Sequence, residues 1–152
     1  MRGTYVASTT FSSLTTGPQT LIQLTAPSTA VVELIRATVT VNNNATNEQL
    51  EIQIQRASVA GGSPTGLTPA KTEDGDQAAG STVGASPTSE PTYTANKIID
   101  RAGIPSVGGY VYNPVPEERP IIAPSAIVGL KINTPSFTSS SGDATLTFRE
   151  IG

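Results

Sequence analysis

The chain has no histidine and no cysteine among its 152 residues. Histidine is the side chain that most readily exchanges protons near neutral pH, and the cysteine thiolate is a strong nucleophile and a soft-metal ligand. Without cysteine no disulfide forms, so stability must come from packing, oligomer contacts or ligands. Because most of the usual catalytic groups are missing, we predict that the protein is not an enzyme and holds no cofactor or metal ion.

Aromatic and charged residues are also scarce. There is no Trp, aromatic residues make up 5% of the chain and charged residues 14%, and the formal net charge is −3. The core must therefore consist mainly of Val, Ile, Leu and Ala, and a chain of this charge is not expected to bind nucleic acid. No apolar run approaches the roughly 20 residues of a membrane-spanning helix, and no apolar leader follows Met1. We expect a protein without membrane contact, made in a cytoplasm and kept whole.

Short runs of alternating apolar and polar residues extend along the whole chain, separated by Gly, Pro, Ser and Thr. Alternation is the pattern of a half-buried strand, and no window has the apolar spacing of an amphipathic helix. About eight or nine short strands predict one all-β domain over residues 1–152, either a sandwich or a barrel. The candidate strands are 4–11, 19–24, 31–41, 50–56, 92–99, 110–112, 119–124, 126–132 and 144–150.

Two neighbouring runs have the clearest patterns. In the first, Ile35, Ala37, Val39 and Val41 share one face. In the second, over residues 50–56, Leu50, Ile52 and Ile54 alternate strictly with Glu51, Gln53 and Gln55, which specifies a single inward face. We predict that the two runs form a hairpin.

Residues 60–91 are rich in Gly, Ala, Ser, Thr and Pro and have few large apolar side chains. This composition predicts a long central loop. Loops of this length within a compact domain are functional, partly disordered, or ordered by a neighbour. We expect this loop, together with an extended N-terminal arm over residues 1–10, to extend across the surface of a partner and contact it.

Several motifs have a chemical and a structural interpretation. Glu73, Asp74 and Asp76 supply oxygen ligands suited to calcium, but their spacing is not that of a twelve-residue calcium loop, and a solvated loop tip is the favoured interpretation. Glu117 and Glu118 are adjacent, so on a strand they point in opposite directions and do not form a glycosidase pair. Asn44-Ala45-Thr46 matches a glycosylation sequon and is expected to be an ordinary turn.

Tyr110 and Tyr112 fall on one face of a short predicted strand. With Tyr93 they would provide rings for stacking on a sugar. Two tyrosines at this spacing are more often part of a sandwich core or of a subunit interface. A carbohydrate-binding or host-adhesion module therefore remains the alternative function.

The C-terminal segment from Pro116 to Gly152 resembles the ending of small capsid decoration, or cement, proteins of tailed bacteriophages. In that group an Arg-Pro-aliphatic-Pro segment precedes an alternating strand, a Ser/Gly-rich turn and a last strand that finishes near an acidic residue. The matching positions here are Arg119, Pro120, Ile121, Ile122 and Pro124, then 129–132, then 144–150. The N-terminal part agrees in layout, and the chain differs from the group in having no Trp near its C-terminus.

The resemblance implies a jelly-roll-like antiparallel β-sandwich. It also implies a structural virion protein that binds the outer surface of the phage head as a homotrimer and stabilises it by bridging subunits of the major capsid protein. Another minor virion protein is a further possibility. The candidate interface residues are Tyr5, Tyr110, Tyr112, Arg119, Ile121 and Ile122.

Overall fold

The computed structural model describes residues 3–42, 48–134 and 141–152. It confirms that the chain is all-β. Within these ranges it has twelve strands and one short 3-10 helix, Pro116–Glu118, rather than the eight or nine strands predicted. None of the described helical residues forms a segment long and apolar enough to cross a membrane. The strands are β1 (Gly3–Phe11), β2 (Gly17–Thr25), β3 (Val31–Asn42), β4 (Gln49–Val59), β5 (Thr65–Leu67), β6 (Ala70–Lys71), β7 (Thr82–Ala85), β8 (Thr92–Pro105), β9 (Val107–Tyr112), β10 (Ile121–Ile122), β11 (Ile127–Thr134) and β12 (Ser141–Ile151).

The strands form two antiparallel sheets, consistent with a β-sandwich. Sheet A has the order β10-β3-β12-β1-β6, and β9 lies beside β10 on the same edge of β3. Sheet B has the order β5-β7-β2-β11-β4-β8. One hydrophobic core draws on both sheets and is built almost entirely from aliphatic side chains. The inward face predicted for β4 is confirmed, since Leu50, Ile52 and Ile54 are all buried, while Gln53 and Gln55 on the opposite face are buried as well.

β3 does not keep one inward face along its whole length. Arg36 pairs with Thr147 and Leu34 pairs with Phe148, so Ile35 is an extra residue in a β-bulge. The bulge shifts the alternation by one residue, and Ile35 is half-buried instead of sharing the core face as predicted. The buried apolar residues of β3 are Val32 and Leu34 before the bulge, and Ala37, Val39 and Val41 after it.

The predicted hairpin between β3 and β4 does not form. β3 lies in sheet A, where it pairs with β12, β9 and β10, and β4 lies in sheet B between β11 and β8. The connection between them therefore crosses from one sheet to the other. Alternation specifies which face of a strand is buried, but not which strand lies beside it, and here the partners are distant in sequence.

Residues 60–91 are more structured than the predicted loop. They contain β5, β6 and β7, and β7 extends sheet B beside β2. Contacts within the chain hold the segment: the Thr72 amide donates to the Thr4 carbonyl at 2.9 Å, and the Gly61 amide donates to the Gln23 side-chain oxygen at 2.7 Å. Residues 3–10 of the expected arm belong to β1, which confirms the predicted strand over 4–11 and pairs with β12 along its whole length.

Candidate functional site

The six residues predicted to line an interface separate into two groups. Tyr5, Tyr110 and Ile122 are at most 5% exposed and belong to the core, so they offer no contact surface in this fold. Ile121 is 46% exposed, and Arg119 and Tyr112 are partly exposed. The prediction treated adjacent residues alike, whereas strand alternation sends Ile121 outward and Ile122 inward.

Tyr5 is buried because it lies on the inward face of β1. Its ring packs against Phe148 with a centroid separation of 5.6 Å, and its hydroxyl donates to the Gln77 carbonyl at 2.9 Å. The hydroxyl thereby helps to hold the 60–91 segment against sheet A. The role of Tyr5 in this fold is packing.

Tyr110 of β9 connects the two sheets through its hydroxyl. Burial, together with a hydrogen bond from its hydroxyl to Asp100 of β8, raises the pKa of Tyr110 well above its usual range. Burial also raises the pKa of Tyr112, and the charges of Asp100 and Glu118 add to this shift. Both rings therefore stay neutral at physiological pH.

Tyr93 lies elsewhere, on the outer face of sheet B, where it covers Gly129. The Thr20 and Tyr93 hydroxyls are hydrogen-bonded at 2.6 Å, and the Lys131 ammonium lies 4.3 Å from the ring centroid. Burial is the main cause of a pKa for Tyr93 well above its usual range. Because Tyr93 and the β9 tyrosines belong to different sheets, the three rings do not form one stacking platform.

Exposed apolar side chains follow one edge of sheet A, which we call the β9–β10 edge: Val107, Val111, Val115 and Ile121. They are 46–62% exposed. Sequence reasoning missed the valines, although the signal was present: once Tyr110 points inward, Val111 must point outward. In the described part of the chain, β9 and β10 pair with β3 and with no other strand, so they form an edge of sheet A.

An arginine cluster adjoins this edge on the outer face of sheet A. Glu33 lies directly opposite Arg149 in the ladder with β12 and opposite Ile121 in the ladder with β10. The Glu33 carboxylate is 2.5 Å from Nη2 of Arg149 and 3.9 Å from Nη1 of Arg119. Val32 and Leu34 point into the core, so Glu33 between them points to the outer face, where its side chain occupies the centre of this cluster.

The rest of the outer face of sheet A is covered by hydroxyl groups. A shallow groove crosses it, lined by Val6, Arg36, Thr38, Thr145 and Thr147. The Ser8 and Thr145 hydroxyls are hydrogen-bonded at 3.0 Å across β1 and β12. Among the described residues, this groove offers hydroxyl groups and the Arg36 guanidinium for polar contacts.

The acidic turn shows no ligand arrangement. Glu73 and Asp74 are exposed, and no group of three or more acidic residues positioned to hold a metal ion occurs within residues 3–42, 48–134 and 141–152. Glu117 and Glu118 lie exposed in the 3-10 helix. The sequon at Asn44 lies outside the described residues.

One carboxylate is fully buried. Glu150, near the end of β12, accepts hydrogen bonds from the Gly80 amide at 3.0 Å, the Ser81 amide at 2.7 Å and the Ser81 hydroxyl at 2.6 Å. These bonds fix the 60–91 segment to the last strand. Glu150 therefore acts as a structural latch.

The described arrangement is suited to contact through sheet A and its β9–β10 edge, with an arginine cluster beside exposed aliphatic side chains. Comparisons of the chain with protein-family models, with curated proteins and with solved structures found no match.

Proposed function

We propose that the protein is a structural virion component, a capsid decoration protein that binds the outer surface of a phage head. In this proposal it acts as a homotrimer, bridges neighbouring subunits of the major capsid protein and carries out no catalysis. Its contacts with the capsid subunits help the packaged head to resist its internal pressure.

We further propose that the sandwich is a jelly roll. Support comes from eight strands that divide into two four-stranded sets, β1-β12-β3-β9 and β2-β11-β4-β8. Members of the successive pairs β1/β2, β3/β4, β8/β9 and β11/β12 belong to opposite sheets. Jelly rolls occur in viral capsid and lectin domains.

The fold supports more than one function, so the proposal depends on the surface. The observation that carries it is the β9–β10 edge, where Ile121 is 46% exposed beside the arginine cluster. This edge includes the Arg-Pro-aliphatic-Pro segment on which the resemblance to decoration proteins rests. An exposed apolar strip bordered by charge is the usual anatomy of an interaction site.

The carbohydrate-binding alternative loses its main support, because Tyr93 is on the outer face of sheet B and Tyr110 is in the core. A glycan array tests it directly. Binding to glycans without binding to heads would favour that alternative over decoration.

The test of the proposal is sedimentation of purified protein with heads of the encoding phage that lack it. We expect saturable binding to the outside of the head, and a trimer by light scattering of the free protein. Failure to co-sediment with heads would contradict the decoration function, and a monomer at high concentration would contradict the trimer.

A further inference from the structure

We propose that Arg119 is the residue that binds a partner carboxylate, and that the partner surface is acidic and flanked by apolar side chains. This inference rests on the proposed function, with the capsid subunit as the partner, and it adds the chemistry of the contact. It assigns different roles to the two arginines beside Glu33.

The distances separate these roles. Arg149 is 2.5 Å from the Glu33 carboxylate, which is a close ion pair. Arg119 is 3.9 Å from the same oxygen, beyond hydrogen-bonding distance. Nε of Arg119 and Nε of Arg149 are both buried without a hydrogen-bond acceptor among the described residues, so only the distances to Glu33 distinguish the two arginines. Arg149 therefore holds Glu33 in place, while the terminal Nη groups of Arg119 remain for a partner carboxylate.

The backbone around Arg119 is constrained. Pro120 follows it, and the Arg119 amide bonds to the Pro116 carbonyl in the preceding 3-10 helix. Arg56 donates to the Ile121 carbonyl at 2.9 Å, which fixes the start of β10. A half-buried guanidinium and an exposed Ile121 are thus presented together. A guanidinium binds a carboxylate through two parallel hydrogen bonds, and arginine is enriched among the residues that dominate binding energy.

Charge distribution favours an acidic partner. The surroundings of Arg119 and Ile121 carry four arginines, Arg36, Arg56, Arg119 and Arg149, and three glutamates, Glu33, Glu117 and Glu118, a local charge of +1 in a chain of net charge −3. An acidic surface is attracted to this part of sheet A and repelled by the remainder of the chain, which orients docking. Glu117 and Glu118 precede Arg119 on the 3-10 helix, so the partner carboxylate is expected on the sheet side of Arg119.

The inference is tested without capsids by NMR titration of the isotope-labelled full chain with a tetraglutamate peptide, and with tetralysine as the opposite charge. We expect tetraglutamate to shift the amides of residues 119–122, Glu33 and Arg149, and tetralysine to leave them unchanged. Arg119→Gln should abolish these shifts. Arg101→Gln, which removes an exposed arginine on sheet B, should preserve them. Shifts elsewhere, shifts that survive in Arg119→Gln, or stronger binding of a DNA oligonucleotide at the same amides would overturn the inference.

Binding to undecorated heads extends the test to the natural partner. We expect Arg119→Gln to weaken binding at least about tenfold, Arg119→Lys to weaken it less because the charge remains, and Arg101→Gln to bind normally. An unchanged melting temperature shows that Arg119→Gln is folded; if it is not, Arg119→Lys supplies the comparison. Normal head binding by both Arg119 variants would overturn the inference but not the decoration function. If the wild-type chain fails to bind heads while the tetraglutamate result is as expected, the decoration function is contradicted and the Arg119 inference is not.

Discussion

Glu150→Gln tests whether the latch stabilises the fold. The substitution keeps the size of the side chain but replaces one carboxylate oxygen with an amide group. The Gly80 amide donates to Oε2 and the Ser81 amide and hydroxyl donate to Oε1. In the variant, a side-chain NH₂ group faces the Gly80 N–H, so two donors meet in a partly buried site.

The expected loss follows from these bonds. A hydrogen bond to a charged group contributes about 1.5–3 kcal/mol, so losing the Gly80 bond has a cost of this size. The two Ser81 bonds change from charged to neutral acceptors and become about half as strong. Burying a neutral amide instead of a charge offsets part of the loss. We expect the free energy of unfolding to fall by about 2–4 kcal/mol, equivalent to roughly 5–15 °C in melting temperature.

Chemical denaturation of the full chain measures the change, with Glu73→Gln as the control, because Glu73 is an exposed carboxylate in the same segment. Hydrogen exchange adds a local reading: the Gly80 and Ser81 amides should lose protection in Glu150→Gln and keep it in Glu73→Gln. If the Glu150→Gln variant has normal stability and its Gly80 and Ser81 amides stay fully protected, the Glu150 hydrogen bonds do not stabilise the fold.

Three further predictions concern packing and titration. Tyr93 and Tyr110 have raised pKa values in the folded chain, so these tyrosines ionise first in unfolded chains. The free energy of unfolding should therefore fall as pH rises above about 10. Alkaline denaturation followed by tyrosine absorbance measures this, and a free energy of unfolding that stays flat or rises there would contradict the prediction. A Cβ at Gly129 would lie 2.1 Å from the Tyr93 hydroxyl, so Gly129→Ala should lower the free energy of unfolding by about 1–3 kcal/mol. The decrease should be smaller in a Tyr93→Ala background. If the two decreases are additive in a double-mutant cycle, the contact is ruled out. Ile52 is buried and Ile121 is exposed. Ile52→Ala should therefore lower the free energy of unfolding by about 2–5 kcal/mol, and Ile121→Ala by about 0.5 kcal/mol or less, as measured by urea denaturation. Similar decreases for the two variants would show that Ile121 is not exposed.

Strand existence and buried faces were predictable where the pattern was regular. Leu50, Ile52 and Ile54 alternate without interruption, and their inward face is confirmed. Ile35 was assigned to the wrong face because a bulge depends on the pairing with β12, and nothing in the local sequence of β3 specifies where that pairing skips a residue.

Strand partners were not predictable from local sequence. β12, near the C-terminus, lies between β1 and β3, so the central pairings of sheet A join residues about a hundred or more positions apart. The short strands within 60–91 have few large apolar residues, and tertiary contacts such as the Glu150 latch hold the segment they belong to.

The candidate site was predictable only in part. Arg119 and Ile121 were chosen from their proline-framed segment, and both have exposed surface. The remaining members of the cluster are brought together by sheet register: Glu33 and Arg149 are 116 positions apart in the sequence yet directly opposite in the ladder. Such a juxtaposition cannot be read from spacing along the chain.

The location and copy number of the protein on purified particles test the central proposal most directly. Cryo-electron microscopy combined with quantitative mass spectrometry of phage particles purified from cells that produce the protein measures both. If the protein decorates the head, we expect density on the outer surface of the head and a copy number comparable to that of the major capsid protein. Absence from the particle, or a few copies confined to the tail or the portal vertex, would contradict it.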